Sequence, residues 1–438
     1  MTQSSIERSR VREAFARWRD ALPVVRADLG LMVGCALLVA FGVMLRSNDL
    51  PFPSAMTFDE NHFVVNARHY LAGTPDTNDH PPLGKLLIAS AIYLFRDSSR
   101  FWRLAPFIAG LLSIAIVYRL ASRLFSDHRA GWIAAALLAV DGFYIAYGRT
   151  ALLDGMLAMF MLAAALFIAD ATRKRDVFAA CVFIGLASSI KFTGIVLIPA
   201  LVLAIALRHR TLRWSVLALP IIPAVYFAQF SLGLYLTGRP AGPLAVIEAT
   251  RALVAHHQAL TAMTNPHTST WFTWLVLLRP ILLRFDVVEG GVRAMTMLGN
   301  PLLWLSVNVS LLLLLVRLPQ RFVASLAARW SVAGPRRMGR WLGAARPWAW
   351  LALFWLLPVV PWMVSRRDSY IYHYLPSYGF GLVLVAGMVL AAYRRAPLLT
   401  LAALSVVGIV AAFYAPVWAQ LPLTQQAYEL RLPFEAWR

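Results

Sequence analysis

The chain has 438 residues, of which 60% are hydrophobic and only 14% are charged. Apolar runs of about twenty residues recur along it, which a soluble globular protein does not need and which predicts a polytopic, all-α membrane protein. The runs do not alternate polar with apolar residues, which excludes a membrane β-barrel. The net charge of +20 lies in short connectors, as in cytoplasmic loops, and does not indicate nucleic-acid binding.

Eleven membrane spans are predicted from a basic, cytoplasmic segment at 1–28, which shows no signal-peptide cleavage site and precedes a retained anchor. An N-terminal membrane region covers 29–236 and includes a large external loop at 46–103. A second external loop covers 237–298, and a C-terminal membrane region covers 299–438. The spans lie at about 29–45, 104–125, 130–147, 151–171, two joined near 189–194, 214–236, 300–317, 347–364, one ending near 393, and 398–418. This alternation puts the C-terminus outside.

The first external loop begins with two adjacent acids, Asp59 and Glu60, directly after the first span. A carboxylate held at the membrane surface can take a proton from a hydroxyl. The alternative is an exposed helix start, where acids are favoured. Later in this loop, the apolar stretch Leu86–Phe95 is too short to cross and predicts an interfacial or re-entrant helix.

Arg149 and Lys191 break the charge rule on the external side, and Arg279 is a further external cation in the second loop. Each either holds an anionic group at the interface or snorkels there without a further role. Asp154 starts the fourth span near Arg149, and either orients that arginine or is a helix-start acid. An acid with several cations at a bilayer surface favours transfer from a lipid-linked phosphate to a hydroxyl.

The second external loop carries Trp271 and Trp274, which share a helical face. They predict either an aromatic belt or a ring platform for a sugar. His373, near Arg366 and Arg367, repeats this combination between the ninth and tenth spans. Cys35 and Cys181 lie in apolar runs without metal-ligand spacing and are interpreted as packing residues.

In their order along the chain, several motifs resemble those of the protein O-mannosyltransferases. They are Asp59-Glu60 with His62-Phe63, His80-Pro81-Pro82-Leu83-Gly84-Lys85, Arg149 to Asp154, Lys191-Phe192-Thr193-Gly194, Trp271 to Pro280 with Leu298-Gly299-Asn300-Pro301, and Tyr372-His373-Tyr374-Leu375-Pro376. The resemblance covers nearly the whole chain. It implies a GT-C glycosyltransferase fold of eleven spans, with interfacial helices in the first external loop.

The resemblance also implies an activity and a set of site residues. Such enzymes move mannose, with inversion, from a polyprenyl-phosphate carrier to Ser or Thr of a translocated protein. Asp59 is then the base, with Glu60 beside it in the acceptor site, and the three external cations face the carrier phosphate. Supporting positions are His62, His80, Lys85, Asp154, Trp271, Trp274, Asn300, His373 and Tyr374. No cofactor or metal is required by this reasoning, although related lipid-linked transferases can hold a divalent metal.

Two departures from the family pattern leave the acceptor open. The second external loop is too short for the β-trefoil domain of eukaryotic members, and Asp76-Thr77-Asn78-Asp79 replaces an aromatic pair. Both indicate a compact bacterial form in the inner (plasma) membrane, with the active site outside. The expected partners are the bilayer, a polyprenyl-phosphate sugar and a secreted or membrane protein, with coupling to the Sec translocon as one route. A lipid or glycan acceptor is the alternative, and a transporter is a more distant one.

Overall fold

The computed structural model describes residues 27–77, 79–171, 173–209, 217–259, 267–328, 334–365 and 367–438. The predicted cytoplasmic N-terminal segment therefore lies almost wholly outside the described residues. In chain order the helices are α1 (Ala27–Ser47), α2 (Glu60–Ala72), α3 (Leu83–Leu94), α4 (Ser99–Trp102), α5 (Leu104–Phe125), α6 (His128–Ala139), α7 (Gly142–Tyr147), α8 (Asp154–Asp170), α9 (Lys174–Ser188), α10 (Ile198–His209), α11 (Ile221–Leu236), α12 (Pro243–Ala259), α13 (Trp271–Trp274), α14 (Pro301–Ala328), α15 (Gly334–Val364), α16 (Leu375–Tyr393), α17 (Pro397–Ala419) and α18 (Gln425–Arg431). Short 3₁₀ turns cover Phe192–Leu197, Ile371–Tyr374 and Glu435–Trp437.

A helix covers each of the eleven predicted spans, with the third divided between α6 and α7. Within the described part of the chain, five helices are long and apolar enough to cross a bilayer: Ala27–Ser47, Ser99–Phe125, Arg346–Val364, Ile371–Tyr393 and Pro397–Ala419. Others, such as Asp154–Ala169 and Ile221–Leu236, are apolar but shorter. The membrane class is confirmed, whereas the number of crossings stays a prediction.

The third predicted span is interrupted at Asp141, whose side chain begins a new helix. The Asp141 carboxylate accepts hydrogen bonds from the backbone N–H groups of Phe143 (3.0 Å) and Tyr144 (3.3 Å), as an N-cap does. It also accepts from Asn300 N at 3.0 Å and Tyr378 Oη at 2.8 Å. The buried acid therefore joins the start of α7 to α14 and α16.

The segments predicted to be external contain the elements that position the cavity described below. Helices α2, α3 and α4 follow the first span, and the 12-residue α3 is too short to cross, in agreement with the interfacial helix predicted there. The described residues are mostly helical, as predicted, but the second predicted external loop also holds an antiparallel hairpin of β1 (Leu282–Val288) and β2 (Gly291–Thr296). Gly290 closes this hairpin at a φ of 77°, a conformation that glycine adopts without a Cβ clash.

The core is centred on α16, in which every residue from 375 to 387 is buried. Helix α12 lies outside this core. It packs on α11 through a separate small cluster of apolar side chains, which we call the α11–α12 cluster: Phe230, Leu234, Val246, Ala249 and Leu253. Helix α12 is therefore held mainly by this small apolar cluster and not by the main core.

Candidate active site

A cavity of about 580 Å³ opens among elements of the segments predicted to be external. Its walls come from the start of α2, the turn before α10, the end of α12, the end of α15 and the 3₁₀ turn that precedes α16. The lining includes Asp59, Phe63, His80, Lys191, Phe192, Thr193, Val254, His257, Trp362, Arg367, Tyr372 and His373. Segments far apart in sequence, from both halves of the chain, therefore meet at one site.

Asp59 is the acid of this cavity. It lies at the N-terminus of α2, but its side chain accepts no hydrogen bond from the backbone N–H groups of that helix. No other described group donates a hydrogen bond to its carboxylate. Burial raises the pKa of Asp59, and Asp154 and Asp79 act in the same direction, while the nearby Lys191 and His62 oppose them. A carboxylate with few hydrogen bonds and a raised pKa is a competent proton acceptor.

Glu60, the neighbouring acid, is placed differently from its predicted role. Its side chain is completely buried and does not line the cavity. Arg103 donates to both carboxylate oxygens at 2.8 Å, and Thr57 donates through its backbone N–H (2.9 Å) and its hydroxyl (3.0 Å). The backbone N–H of Ala151 donates at 2.8 Å. With its oxygens occupied in this way, Glu60 fixes the start of α2 and so sets the position of Asp59.

Lys191 reaches the cavity as predicted, but it is already paired. Its Nζ lies 2.8 Å from both oxygens of Asp154, and it stands 5.3 Å from the centre of the Tyr372 ring. Asp154 therefore orients Lys191, and not Arg149 as one of the two readings of the sequence had it.

The structure does not bring Arg149 or Arg279 to the cavity. Arg149 is 2% exposed, and its guanidinium donates to the carbonyls of Leu45 (2.7 Å), Arg46 (3.1 Å) and Asn48 (2.6 Å). These carbonyls belong to the end of α1, where a helix lacks its own donors. Arg279 is exposed and donates to Thr268 O at 3.2 Å. Phosphate binding by these two arginines is therefore a prediction that their positions do not support.

Beside Asp59, the loop before α3 carries a linked set of charges. Asp79 Oδ2 lies 2.6 Å from His62 Nε2, and Lys85 Nζ donates to Asp76 at 2.5 Å and to Asp79 at 3.5 Å. Burial alone would raise the pKa of Asp79, but the His62 contact and the Lys85 charge hold it well below its usual range. Lys85 is completely buried, so it orders this loop and does not face the cavity.

Of the aromatic residues predicted to support the site, His373 lines the cavity, whereas Trp274 and Tyr374 pack behind it. His373 lines the cavity and stacks on Trp362 with ring centres 3.6 Å apart. Trp274 is buried behind it and donates to Ser269, whereas Trp271 does not line the cavity. Tyr374 accepts a hydrogen bond from Trp355 at 2.9 Å, deeper in the protein. Asn300, bound to Asp141, is likewise a scaffold residue.

Among the polar cavity residues that were missing from the predicted site, Arg367 and His257 form a pair. Arg367 follows α15 and donates from Nη1 to His257 Nδ1, at the end of α12, over 2.8 Å. Burial, followed by the Arg367 charge, lowers the pKa of His257 to about 4, which keeps that imidazole neutral. The signal for Arg367 was present in the sequence, because it is an arginine on the predicted external side beside His373. His80, which was predicted, faces His257 with ring centres 5.3 Å apart.

The fold is that of the GT-C class of membrane glycosyltransferases. The chain superimposes on a chain of the S. cerevisiae Pmt1–Pmt2 protein O-mannosyltransferase complex bound to the sugar donor, with a TM-score of 0.76 at 13% identity over 93% of this chain and 92% of that one. It also matches ArnT from Cupriavidus metallidurans bound to undecaprenyl phosphate, with a TM-score of 0.53 at 19% identity over 92% of this chain and 76% of that one.

The sequence comparisons then give the family. Family models for dolichyl-phosphate-mannose-protein mannosyltransferase match residues 36–103 and 79–235, and a model for the C-terminal four-span region of protein O-mannosyltransferase matches 245–437. The polyprenol-phosphate-mannose–protein mannosyltransferase of Mycolicibacterium smegmatis is 25% identical over 96% of this chain and 95% of its own. That of Mycobacterium tuberculosis is 26% identical over 92% and 90%. The chain belongs to the protein O-mannosyltransferase family.

Proposed function

We propose that this protein transfers mannose from a polyprenyl-phosphate carrier to a Ser or Thr hydroxyl of a protein acceptor. The family membership and the names of relatives aligned over nearly their whole length support this reaction. The observation that carries the mechanism is Asp59, an acid without a hydrogen-bond donor among the described residues, in a cavity that is also lined by Lys191 and Arg367.

In this mechanism Asp59 takes the proton of the acceptor hydroxyl as its oxygen attacks the sugar carbon. The bond from that carbon to the phosphate oxygen breaks, and attack from the opposite face inverts the configuration. The electron pair leaves with the carrier phosphate, whose negative charge grows during the step. Cations placed at that phosphate therefore stabilise the transition state more than the ground state.

Lys191 and Arg367 are the cations proposed for the phosphate. Asp154 balances the charge of Lys191 and fixes its direction, so Lys191 acts as an oriented donor. The hydrogen-bond partner of Arg367 is the neutral imidazole of His257, which leaves the guanidinium charge available to an anion. A planar guanidinium also binds a phosphate through two parallel bonds.

The test is transfer of radiolabelled polyprenyl-phosphate-mannose in membranes, with and without a Ser/Thr-rich secretory peptide. Asp59→Asn is expected to lower turnover about a hundredfold or more. Lys191→Ala and Arg367→Ala are expected to raise the donor KM and to lower turnover about tenfold or more. Arg279→Ala is the matched control, since it removes an external arginine outside the cavity, and should change neither value.

The outcomes separate the possible acceptors. Label in the peptide supports a protein acceptor. Label that moves from the donor into a different lipid or a glycan, and into none of the peptides, contradicts it. No label transfer by the wild type would overturn the proposed function itself. The proposed mechanism needs no metal, so washing the membranes with EDTA should leave transfer unchanged.

We also propose that the site faces the outside of a bacterial plasma membrane, with the N-terminus in the cytoplasm. The positive charges in the predicted cytoplasmic connectors support this orientation. It places the cavity where a polypeptide emerges from translocation, which makes coupling to the Sec translocon a natural route for the acceptor.

A further inference from the structure

His62 lies one helical turn from the proposed base. Its backbone N–H donates to the carbonyl of Asp59 at 3.0 Å, and residues three apart on a helix share a face. The two side chains differ in their surroundings, because Asp59 lines the cavity whereas the side chain of His62 is 40% exposed. His62 thus reaches water from the turn that carries the acid.

Asp79 holds the ring of His62 in one orientation. The 2.6 Å contact joins Asp79 Oδ2 to His62 Nε2, and an ionised carboxylate only accepts hydrogen bonds, so Nε2 carries the proton. Asp79 is itself fixed by Thr77 Oγ1 at 3.2 Å and by Lys85 Nζ. The other ring nitrogen, Nδ1, receives no hydrogen bond from any described group. A carboxylate behind one nitrogen makes the opposite nitrogen a better base.

Each transfer leaves a proton on Asp59, which must return to its ionised form before the next turnover. Lys191 is no acceptor, because its ammonium is paired with Asp154. His257 offers its Nδ1 lone pair to Arg367 already. His80 lines the cavity, but burial and the neighbouring Lys191 lower its pKa well below the ordinary value, so it is a weak base. His62 has the opposite tendency, since its contact with Asp79 raises its pKa.

We propose that His62 takes the proton from Asp59 after each transfer and delivers it to solvent, with Asp79 as the residue that positions its ring. The inference rests on the proposed function, because it completes the proton balance of that reaction. The acceptor O–H bond breaks and its proton passes to the Asp59 carboxylate. It then passes to His62 Nδ1 and finally to water, which regenerates both groups without a further reactant.

The pH dependence of this step involves the charges around both residues. Asp79, Lys85 and Asp59 face His62, and Lys191, Asp154, His62 and Asp79 face Asp59. His62 accepts a proton only when neutral, so turnover is expected to fall as the pH drops through the raised pKa of His62. Asp79→Asn removes the charge that raises this pKa, so the acidic limb of the profile should move to lower pH.

The experiment measures turnover against pH in the full-length protein for His62→Ala, His62→Gln and Asp79→Asn, with His69→Gln as control. His69 lies on the same helix and bonds to Thr74, away from Asp59. His62→Gln is expected to lower turnover about tenfold or more without changing the donor KM. Added imidazole should restore turnover in His62→Ala, because the vacated position is open to solvent, but should not do so in Asp59→Asn.

A merely structural role would not produce rescue by imidazole or a shifted acidic limb. Wild-type turnover and pH profile in both His62 variants would overturn the inference, as would a folded His62→Ala enzyme that imidazole does not rescue. If Asp59→Asn abolishes transfer while the His62 variants behave as wild type, only the inference fails. If the wild type itself does not transfer mannose, the proposed function fails first.

Discussion

Replacing Glu60 by Gln separates the structural acid from the chemical one. The carboxylate accepts five hydrogen bonds, and each oxygen receives one from Arg103. In one orientation of the amide, its NH₂ would face the donors Arg103 Nε and Ala151 N. In the other, it would face Arg103 Nη2 and Thr57 N. Either way two buried donors lose their acceptor, and the completely buried guanidinium loses its counter-charge.

The expected cost is about 3–5 kcal/mol in the free energy of unfolding, as when one partner of a buried ion pair is removed. Asp59→Asn should behave in the opposite way. Since burial raises the pKa of Asp59, the folded state holds its proton more tightly than the unfolded state does, and this group costs stability as the pH rises. The neutral Asn should therefore leave the melting temperature unchanged or raise it, while turnover collapses.

The assay pairs thermal unfolding in detergent with turnover well below the melting temperature. The Glu60→Gln protein should have a lower melting temperature, but should keep much of its turnover at temperatures well below that melting point. Glu289→Gln, an exposed acid in the hairpin turn, is the control and should change neither. A Glu60→Gln protein with wild-type stability and turnover as low as that of Asp59→Asn would refute this reasoning and return Glu60 to the chemistry.

Three further predictions follow from the site and the proposed orientation. Arg149→Lys cannot reach the several carbonyls at the end of α1, so it should lower the melting temperature without changing the donor KM; a raised KM alone would mean that Arg149 binds donor. In His62→Gln, where the imidazole limb of the pH profile is gone, turnover should still fall on acidification through the raised pKa of Asp59; an acidic limb at the ordinary pKa of a free carboxyl would contradict this. In sealed cells, Glu289→Cys should react with an impermeant thiol reagent because position 289 is proposed to lie outside, and Ser126→Cys should not because position 126 is proposed to lie in the cytoplasm. The native cysteines are buried and should add little background labelling; the reverse pattern would invert the proposed orientation.

The sequence predicted the fold class because membrane spans are marked by long apolar runs and by the charges between them. The hairpin that contains Phe285 and Val287 was not predicted. A short strand pair carries a weak local signal beside twenty-residue apolar runs.

The lining of the cavity was predictable where a motif supplies the side chain directly, as with Asp59, Lys191 and His373. It was not predictable where a polar residue serves the backbone of a distant segment. Arg149 looked like a phosphate ligand because the carbonyls that it binds, about a hundred residues earlier, leave no mark in the sequence. Arg367 was left out of the predicted site for a similar reason, since its partner His257 lies on a helix more than a hundred residues away in the sequence.

The two sides of the cavity differ in how strongly they are tied to the rest of the protein. Asp59 is fixed through Glu60 and Arg103 to the main core, whereas the wall with His257 belongs to a helix that rests on the α11–α12 cluster. Displacing that helix would expose a few large apolar side chains, at roughly 1.5–3 kcal/mol each, and would break the hydrogen bonds between Arg367 and His257 and between Tyr226 and Thr250. The wall that carries His257 is therefore the side of the cavity that opens at the lower cost in free energy, whereas the side that carries Asp59 stays tied to the core.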